Sequence, residues 1–381
     1  MKILLSLIGS TIGTTGGVEK VLCNMANAMV ERGHEVTILT FEDKEGKPFF
    51  KLDERVNFLN LGIGHKLNHF WFNITSFYLN KDRKEVKRLM NDCQKIADVI
   101  NNRVSDIHAD ILITFEQRSE VIFKKFINLN IPIITMFHFD YNTVLRNKLL
   151  HYLYEKSNCL QVLTKNDLVA TKKLIKNTDI VCIPNAVPQS EKQAQLDVKK
   201  IITVGRIDPK QKRQDLLIEA FKIVSEKHSE WKLDIYGDTS FNKNYYNECI
   251  ELIKKYKLED KVEFCGITKD VEGVLLNSSI FAFPSAYEGF PLALTEALAL
   301  GLPSVGYRSC SGTNEVIIDG ESGFLCNDGV EYFANALDKL MDDDDLRLKM
   351  GAAAKNSMKL YAPDNIWDMW EELMDKELKN S

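Results

Sequence analysis

Two series of short apolar runs, each interleaved with amphipathic stretches, constrain this chain more than any other feature. In the first half "KILLSLI" leads to "GVEKVLCNMANAMVERG" and then "EVTILTF", with "ADILITF" and "IPIITMFH" further on. Strand, helix, strand is the rhythm of a parallel sheet. The stretch 18–32 places Val18, Val21, Leu22, Met25, Ala28 and Met29 on one face at helical period, and Gly33 is placed to stop that helix. Around 184–200 the pattern breaks in "PNAVPQSEKQAQLDVKK", a polar run without periodicity that reads as a linker. A second series follows, through "IITVGRI", "LLIEAFKIVSEKH", "WKLDIYG", "VEFCGIT", "SIFAFPS" and "LPSVGY". The expected fold is α/β, two doubly wound parallel-sheet domains facing a cleft, with ligands at the carboxyl ends of the strands. The tail carries Ile366, Trp367, Trp370, Leu373 and Met374 at helical spacing and should dock by that face.

The chain has 381 residues, 45% hydrophobic and 27% charged, enough for two cores. No segment approaches the roughly 18 apolar residues of a spanning helix, and "MKILLSLIGSTIG" lacks a small-residue cleavage site. A soluble, cytoplasmic protein is expected. Eight cysteines are scattered with no C-x-x-C pair, so neither a zinc site nor a redox motif is indicated and reduced thiols fit best. The net charge of −5 divides into +5 over the first 180 residues and −10 over the rest. A basic first half is compatible with an anionic partner such as a membrane surface, and equally with a solvated face. Nothing points to nucleic acid.

One stretch carries chemistry, "SAYEGFPLALTEALALGLPSV" at 285–305. Pro291 suits the first turn of a helix, so backbone amides from about Gly289 to Leu292 should point outward as an anion site. Glu296 falls within the first two turns, projecting within roughly 80° of Glu288 if the helix ran back that far. A carboxylate among Ala293, Leu294, Ala297 and Leu298 must be paired or hydrogen-bonded, and vicinal hydroxyls would satisfy it. The plainer alternative pairs Glu296 with a basic neighbour.

These residues resemble a known family. "EGFPLALTE" matches the E-x7-E motif of retaining glycosyltransferases of the GT-B fold, most closely glycosyltransferase family 4, and "TGGVEKV", "VGRIDPKQKRQDLLIEAF" and "GTNEVIIDGESGFL" extend the likeness over nearly the whole chain. The resemblance implies residues 1–183, joined by a C-terminal helix at 362–381, as the acceptor-binding domain. It implies 201–361 as the nucleotide-sugar domain. In it Glu288 would bind hydroxyls of the donor sugar and Glu296 the ribose, with Gly289, Phe290, Pro291 and Leu292 approaching sugar and phosphates through their backbone.

In "GRIDPKQKRQ", Gly205 ends a strand and Arg206 with a following lysine would place two cations over the cleft, which the resemblance implies neutralise the leaving diphosphate. The loop is one residue longer than the family pattern, so Lys212, favoured by the following "DLLIEAF", competes with Lys210. In "GSTIGTTGGVEK", Gly16 and Gly17 at a helix start would let backbone approach a ligand closely, and the resemblance implies that this ligand is the donor phosphates and the acceptor. The loop is not G-x-G-x-x-G, and no acidic residue closes the strand that ends "TILTF", which disfavours a dinucleotide site. His138 ends the strand in "MFHFD". A lone histidine there is commonly a core residue, whereas the family places one against the donor sugar. Asp140 would belong to the acceptor site. "DDDDL" at 342–346 reads as a solvated face rather than a metal site. The aromatic and basic run 65–88 fits either core packing or lipid contact.

The expected activity is therefore retaining, metal-independent hexosyl transfer without a cofactor. The donor is expected to be a UDP-sugar, and the acceptor a saccharide or lipid-linked saccharide at the inner membrane face, with peripheral membrane contact through the first domain. The rivals are a UDP-sugar 2-epimerase of the same architecture and a non-catalytic sugar-nucleotide-binding subunit.

Overall fold

The structure, a computed structural model, describes residues 1–8, 11–63, 94, 97–98, 100–101, 108–116, 119, 122–127, 129–138 and 159–380. The chain divides into two compact units, Met1–Pro184 with Ile366–Ser381 and Asn185–Asn365.

The first unit holds a seven-stranded sheet of β1 (Lys2–Ser6), β2 (Glu35–Thr40), β3 (Asn57–Asn60), β4 (Ile111–Thr114), β5 (Ile133–Met136), β6 (Cys159–Val162) and β7 (Asp179–Cys182). Their order is β3-β2-β1-β4-β5-β6-β7, with every pairing parallel. Strands β4, β5 and β6 are buried at every residue, which is why they read as unbroken apolar runs rather than as alternation. Helix α1 (Gly17–Glu31) buries Val21, Leu22, Met25, Ala28 and Met29, the stripe expected from its periodicity. It stops where Gly33 takes φ +87° and the amides of Gly33 and His34 donate back to Val30 O and Met29 O, both at 3.0 Å. Helix α2 (Lys165–Leu174) is capped by Thr164, whose hydroxyl accepts from Asp167 N.

The second unit holds β8 (Lys200–Val204), β9 (Lys232–Tyr236), β10 (Val262–Gly266), β11 (Ile280–Phe283), β12 (Ser304–Tyr307) and β13 (Gly323–Cys326). All run parallel, in the order β10-β9-β8-β11-β12-β13. Around them lie α3 (Gln214–Ser225), α4 (Lys243–Tyr256), α5 (Val271–Leu276), α6 (Leu292–Ala299), α7 (Thr313–Val316), α8 (Val330–Asp342) and α9 (Asp344–Ser357). Ile201, Leu233, Ile235, Ile280 and Val305 of the strands join Leu217 and Phe221 of α3 and Phe333 and Leu337 of α8 in one core. Much of the 184–200 stretch is fastened to this unit: Ala194 N donates to Leu300 O at 2.8 Å and Gln195 N to Leu276 O at 2.9 Å.

Three carboxylates of the acidic run at 342–346 have partners. Asp342 pairs with Lys227, Asp343 caps α9 by accepting from Leu346 N, and Asp344 pairs with Arg347 and Lys199. Helix α10 (Pro363–Asn380) buries Ile366, Trp367, Trp370, Leu373 and Met374. From Ile366 onward it belongs to the first unit. There Glu371 pairs with Arg32 and His34 at the end of α1 and Lys376 with Asp179. Burial resists the charge on Glu371, but its bonds to His34 and Arg32 outweigh that and hold its carboxyl below the ordinary glutamate range. No helix among the described residues is long and apolar enough to cross a membrane.

Candidate functional site

In the second sheet β8 and β11 are neighbours, while β9 and β12 continue outward on opposite sides. The loops leaving the carboxyl ends of β8 and β11 therefore diverge, and such a switch point is where open parallel sheets take ligands. The loop after β8 carries Gly205, Arg206 and Lys212, and the loop after β11 carries Glu288 to Pro291.

Packing and hydrogen bonds stitch these two loops together. Arg213, held at φ 49°, donates from Nε to Pro284 O at 3.0 Å. Ala286 N donates to Gln211 O at 2.8 Å, and Gln211 Nε2 to Tyr287 O at 3.2 Å. Lys212 Nζ meets Glu288 Oε1 at 2.6 Å, with side chains only 15% and 9% exposed, and lies 4.7 Å from the centroid of the Phe283 ring. Lys210 is exposed and uses its backbone N–H in a turn on Asp208 Oδ1. Arg206 is also exposed. Its guanidinium donates to Gln211 Oε1 at 2.7 Å and sits 5.3 Å from the Phe241 ring centroid.

Glycines set how closely these parts approach. A Cβ on Gly205 would lie 3.3 Å from Lys212 Cε, so Gly205 backs the lysine stem. A Cβ on Gly237, just past β9, would overlap the Gly205 carbonyl oxygen. We expect Gly237→Ala to displace the start of the Arg206 loop and cost roughly 1–3 kcal/mol by overpacking. A urea midpoint equal to wild type would refute that close approach.

Helix α6 begins at Leu292 after Pro291, with no side-chain cap, and its first amides are left for another acceptor. Phe290 is buried and packs edge-on against Tyr361, 5.4 Å between centroids, so only its backbone remains available at the loop. Glu296 is half-buried between the buried Thr295 and Ala297. Two buttresses come from the loop that opens "GTNEVIIDGESGFL", a stretch to which the sequence attached no role in the site. Ser311 Oγ donates to Glu288 O at 3.1 Å, and Gly312, at φ +75°, lies so near that a Cβ there would be 2.6 Å from Gly289 O. The glycine of "SCSGTNE" was the available signal.

In the first unit the loop after β1 leads to α1, where Gly16 occupies the N-cap in extended conformation and Gly17 opens the helix. A Cβ on Gly16 would overlap the Glu19 carboxylate, which folds back over the helix start. Glu42 lies two residues beyond β2, directly after the "TILTF" run. It is buried, and its carboxylate accepts from Thr11 N at 2.6 Å, from the Thr11 hydroxyl and from Ile12 N at 3.1 Å. It thus anchors the glycine loop.

His138 follows β5 and stacks on Phe115, with centroids 5.5 Å apart. Its Nε2 is shielded from solvent without a hydrogen-bond partner among the described residues, and burial pushes its pKa down to about 4. The ring is then neutral at physiological pH. Because the unfolded histidine titrates near its ordinary value, its contribution to stability is intact above about pH 6.5 and drains away as pH falls towards 4. An NMR titration of the ring proton should show a midpoint near 4, and one near 6.5 would contradict this burial. Asp140 and the 65–88 run lie outside the described residues.

Comparison with known proteins decides the family. Residues 15–191 match the model for Glycosyltransferase Family 4 and residues 187–357 the model for Glycosyl transferases group 1. The chain belongs to glycosyltransferase family 4. This family 4 glycosyltransferase is 29% identical over 372 residues to an uncharacterized glycosyltransferase of Haemophilus influenzae, covering 95% of this chain and 97% of that one. It is 26% identical over 369 residues to the N-acetyl-alpha-D-glucosaminyl L-malate synthase of Bacillus anthracis, covering 91% and 90%. Its fold matches a variant of TarM from S. aureus, solved with fondaparinux, alpha-GlcNAc-glycerol and UDP, at TM-score 0.78 and 16% identity over 98% of this chain and 99% of that one. Two all-parallel α/β units and this likeness make the family 4 glycosyltransferase a GT-B protein.

Proposed function

We propose that this enzyme transfers a hexose or N-acetylhexosamine, with retention of configuration, from a UDP-sugar to a glycan or lipid-linked saccharide acceptor in bacterial surface polysaccharide or glycoconjugate assembly. One observation carries the reading: a cation and a carboxylate, Lys212 and Glu288, meet at the switch point of the second sheet, between an exposed arginine and an uncapped helix start. A sugar diphosphate needs both kinds of group, donors and cations for its phosphates and acceptors for its hydroxyls.

In the proposed mechanism Arg206 and Lys212 stabilise the charge that develops on the diphosphate as its bond to the anomeric carbon breaks. Glu288 takes sugar hydroxyls and Glu296 takes the ribose. Backbone amides at Gly289, Phe290 and Leu292, and those of Gly16 and Gly17, receive phosphate or sugar oxygens. Neutral His138 orients the donor sugar without supplying charge. The acceptor oxygen bonds to the anomeric carbon on the face the diphosphate leaves, and a departing phosphate oxygen takes the acceptor's proton. No step is assigned to a metal, because in this reading Arg206 and Lys212 carry the charge of the leaving group. A lipid-linked acceptor would place the enzyme peripherally at the inner membrane face.

The test is thermal stabilisation of the purified chain by UDP-, GDP- and ADP-sugars, because a ligand bound only by the folded form raises the melting temperature. UDP-sugars should give the largest shift. A response to none of the three would sink the donor assignment.

A further inference from the structure

In the loop after β8, Gln211 makes more of the local connections than either cation. Its backbone N–H donates to Asp208 Oδ1 at 3.0 Å, and its carbonyl accepts from Ala286 N at 2.8 Å. Its side-chain Oε1 accepts from Arg206 Nη2 at 2.7 Å while Nε2 donates to Tyr287 O at 3.2 Å. One amide thus ties the arginine to the peptide immediately before Glu288.

We infer that Gln211 is a positioning residue, holding Arg206 in one geometry relative to the Glu288 loop so that the guanidinium meets the donor's diphosphate without first being ordered. The inference rests on the reading of Arg206 as a phosphate-binding cation. An exposed arginine samples many rotamers and loses that freedom when it grips a ligand. Freezing it before the ligand arrives removes that cost from binding. The chemistry also selects the side chain. The guanidinium can only donate and the Tyr287 carbonyl can only accept, which fixes the orientation of the amide between them. A glutamate could serve the arginine but not the carbonyl, and a lysine the reverse. A residue of the amide class with glutamine's reach does both.

The experiment is a calorimetric titration of UDP and UMP into the full chain as wild type, Gln211→Met, Arg206→Ala and the double variant. UMP is the control, because Arg206 is assigned to the diphosphate that UDP carries and UMP lacks. Gln211→Met should weaken UDP roughly 5- to 30-fold, the scale of one freed side chain, and leave UMP within about two-fold, since the effect runs through the diphosphate. The double variant should bind UDP about as weakly as Arg206→Ala alone, because both substitutions remove one interaction.

Equal weakening of UDP and UMP by Gln211→Met would mean a merely structural role and overturn the inference. So would additive losses in the double variant, or unchanged UDP binding by Gln211→Met while Arg206→Ala weakens it. If Arg206→Ala itself leaves UDP binding intact, the reading of Arg206 falls, and the inference with it. Should Gln211→Met not fold, Gln211→Asn, which keeps a neutral amide but is one methylene too short to bridge Arg206 and the Tyr287 carbonyl, takes its place. It should weaken UDP selectively over UMP, and wild-type UDP affinity in it would overturn the inference.

Discussion

Lys212→Ala is expected to lower turnover roughly 100- to 1,000-fold, the range found when a preorganised electrostatic group is removed from a site of developing charge. The same substitution strips the Glu288 carboxylate, 9% exposed, of the ammonium 2.6 Å away. Leaving one member of a shielded pair alone costs about 3 kcal/mol or more, so stability should drop together with activity. Lys212→Arg separates the two effects: it restores the counter-charge and much of the stability, but a planar fork does not reproduce a compact ammonium beside Phe283. Lys210→Ala is the internal control. That side chain is exposed and its loop contact runs through the backbone, so turnover should stay within about two-fold of wild type, as for an ordinary surface change. Release of UDP from the donor in the presence of a membrane extract reads all three. Loss of activity in Lys210→Ala with retention in Lys212→Ala would reverse the assignment.

The largest expected loss of stability lies away from the site. Arg347 is fully buried, donating from Nε to Leu196 O at 3.0 Å and from Nη1 to Leu340 O at 2.6 Å and Met341 O at 3.2 Å, while Nη2 pairs with Asp344. Its guanidinium carbon lies 5.2 Å from the ring centroid of the buried Trp231. It thereby fastens the chain entering the second unit to the junction of α8 and α9. Arg347→Ala would orphan three carbonyls and open a cavity, a loss of about 3–5 kcal/mol. Arg347→Met, filling the volume without the donors, should lose less. A urea denaturation series checks both, and a midpoint within error of wild type for Arg347→Ala would show that those carbonyls find other donors.

What could be read from sequence followed from how each feature is encoded. Parallel strands buried on both faces leave continuous apolar runs, so the two sheets were visible in "KILLSLI" and "IITVGRI". The start of α6 was visible because Pro291 acts on its own neighbours. Contacts closed over long separations left no local trace. Lys212 meets Glu288, and Gln211 meets Tyr287, across 76 residues. Ser311 and Gly312 support Glu288 and Gly289 from a later loop. Glu42 is hidden for a simpler reason: it lies one residue past the apolar run "TILTF", where the chain bends back to the β1 loop. Partners of the "DDDDL" carboxylates, Lys199 and Lys227 among them, likewise come from distant segments.

Amide hydrogen exchange of the full chain, with and without saturating UDP, asks most directly whether a sugar nucleotide occupies the second unit. Slowed exchange should concentrate in 205–213 and 284–296, the two loops and the start of α6. Saturable UDP binding whose protection falls elsewhere, leaving those segments as exchangeable as before, would contradict it.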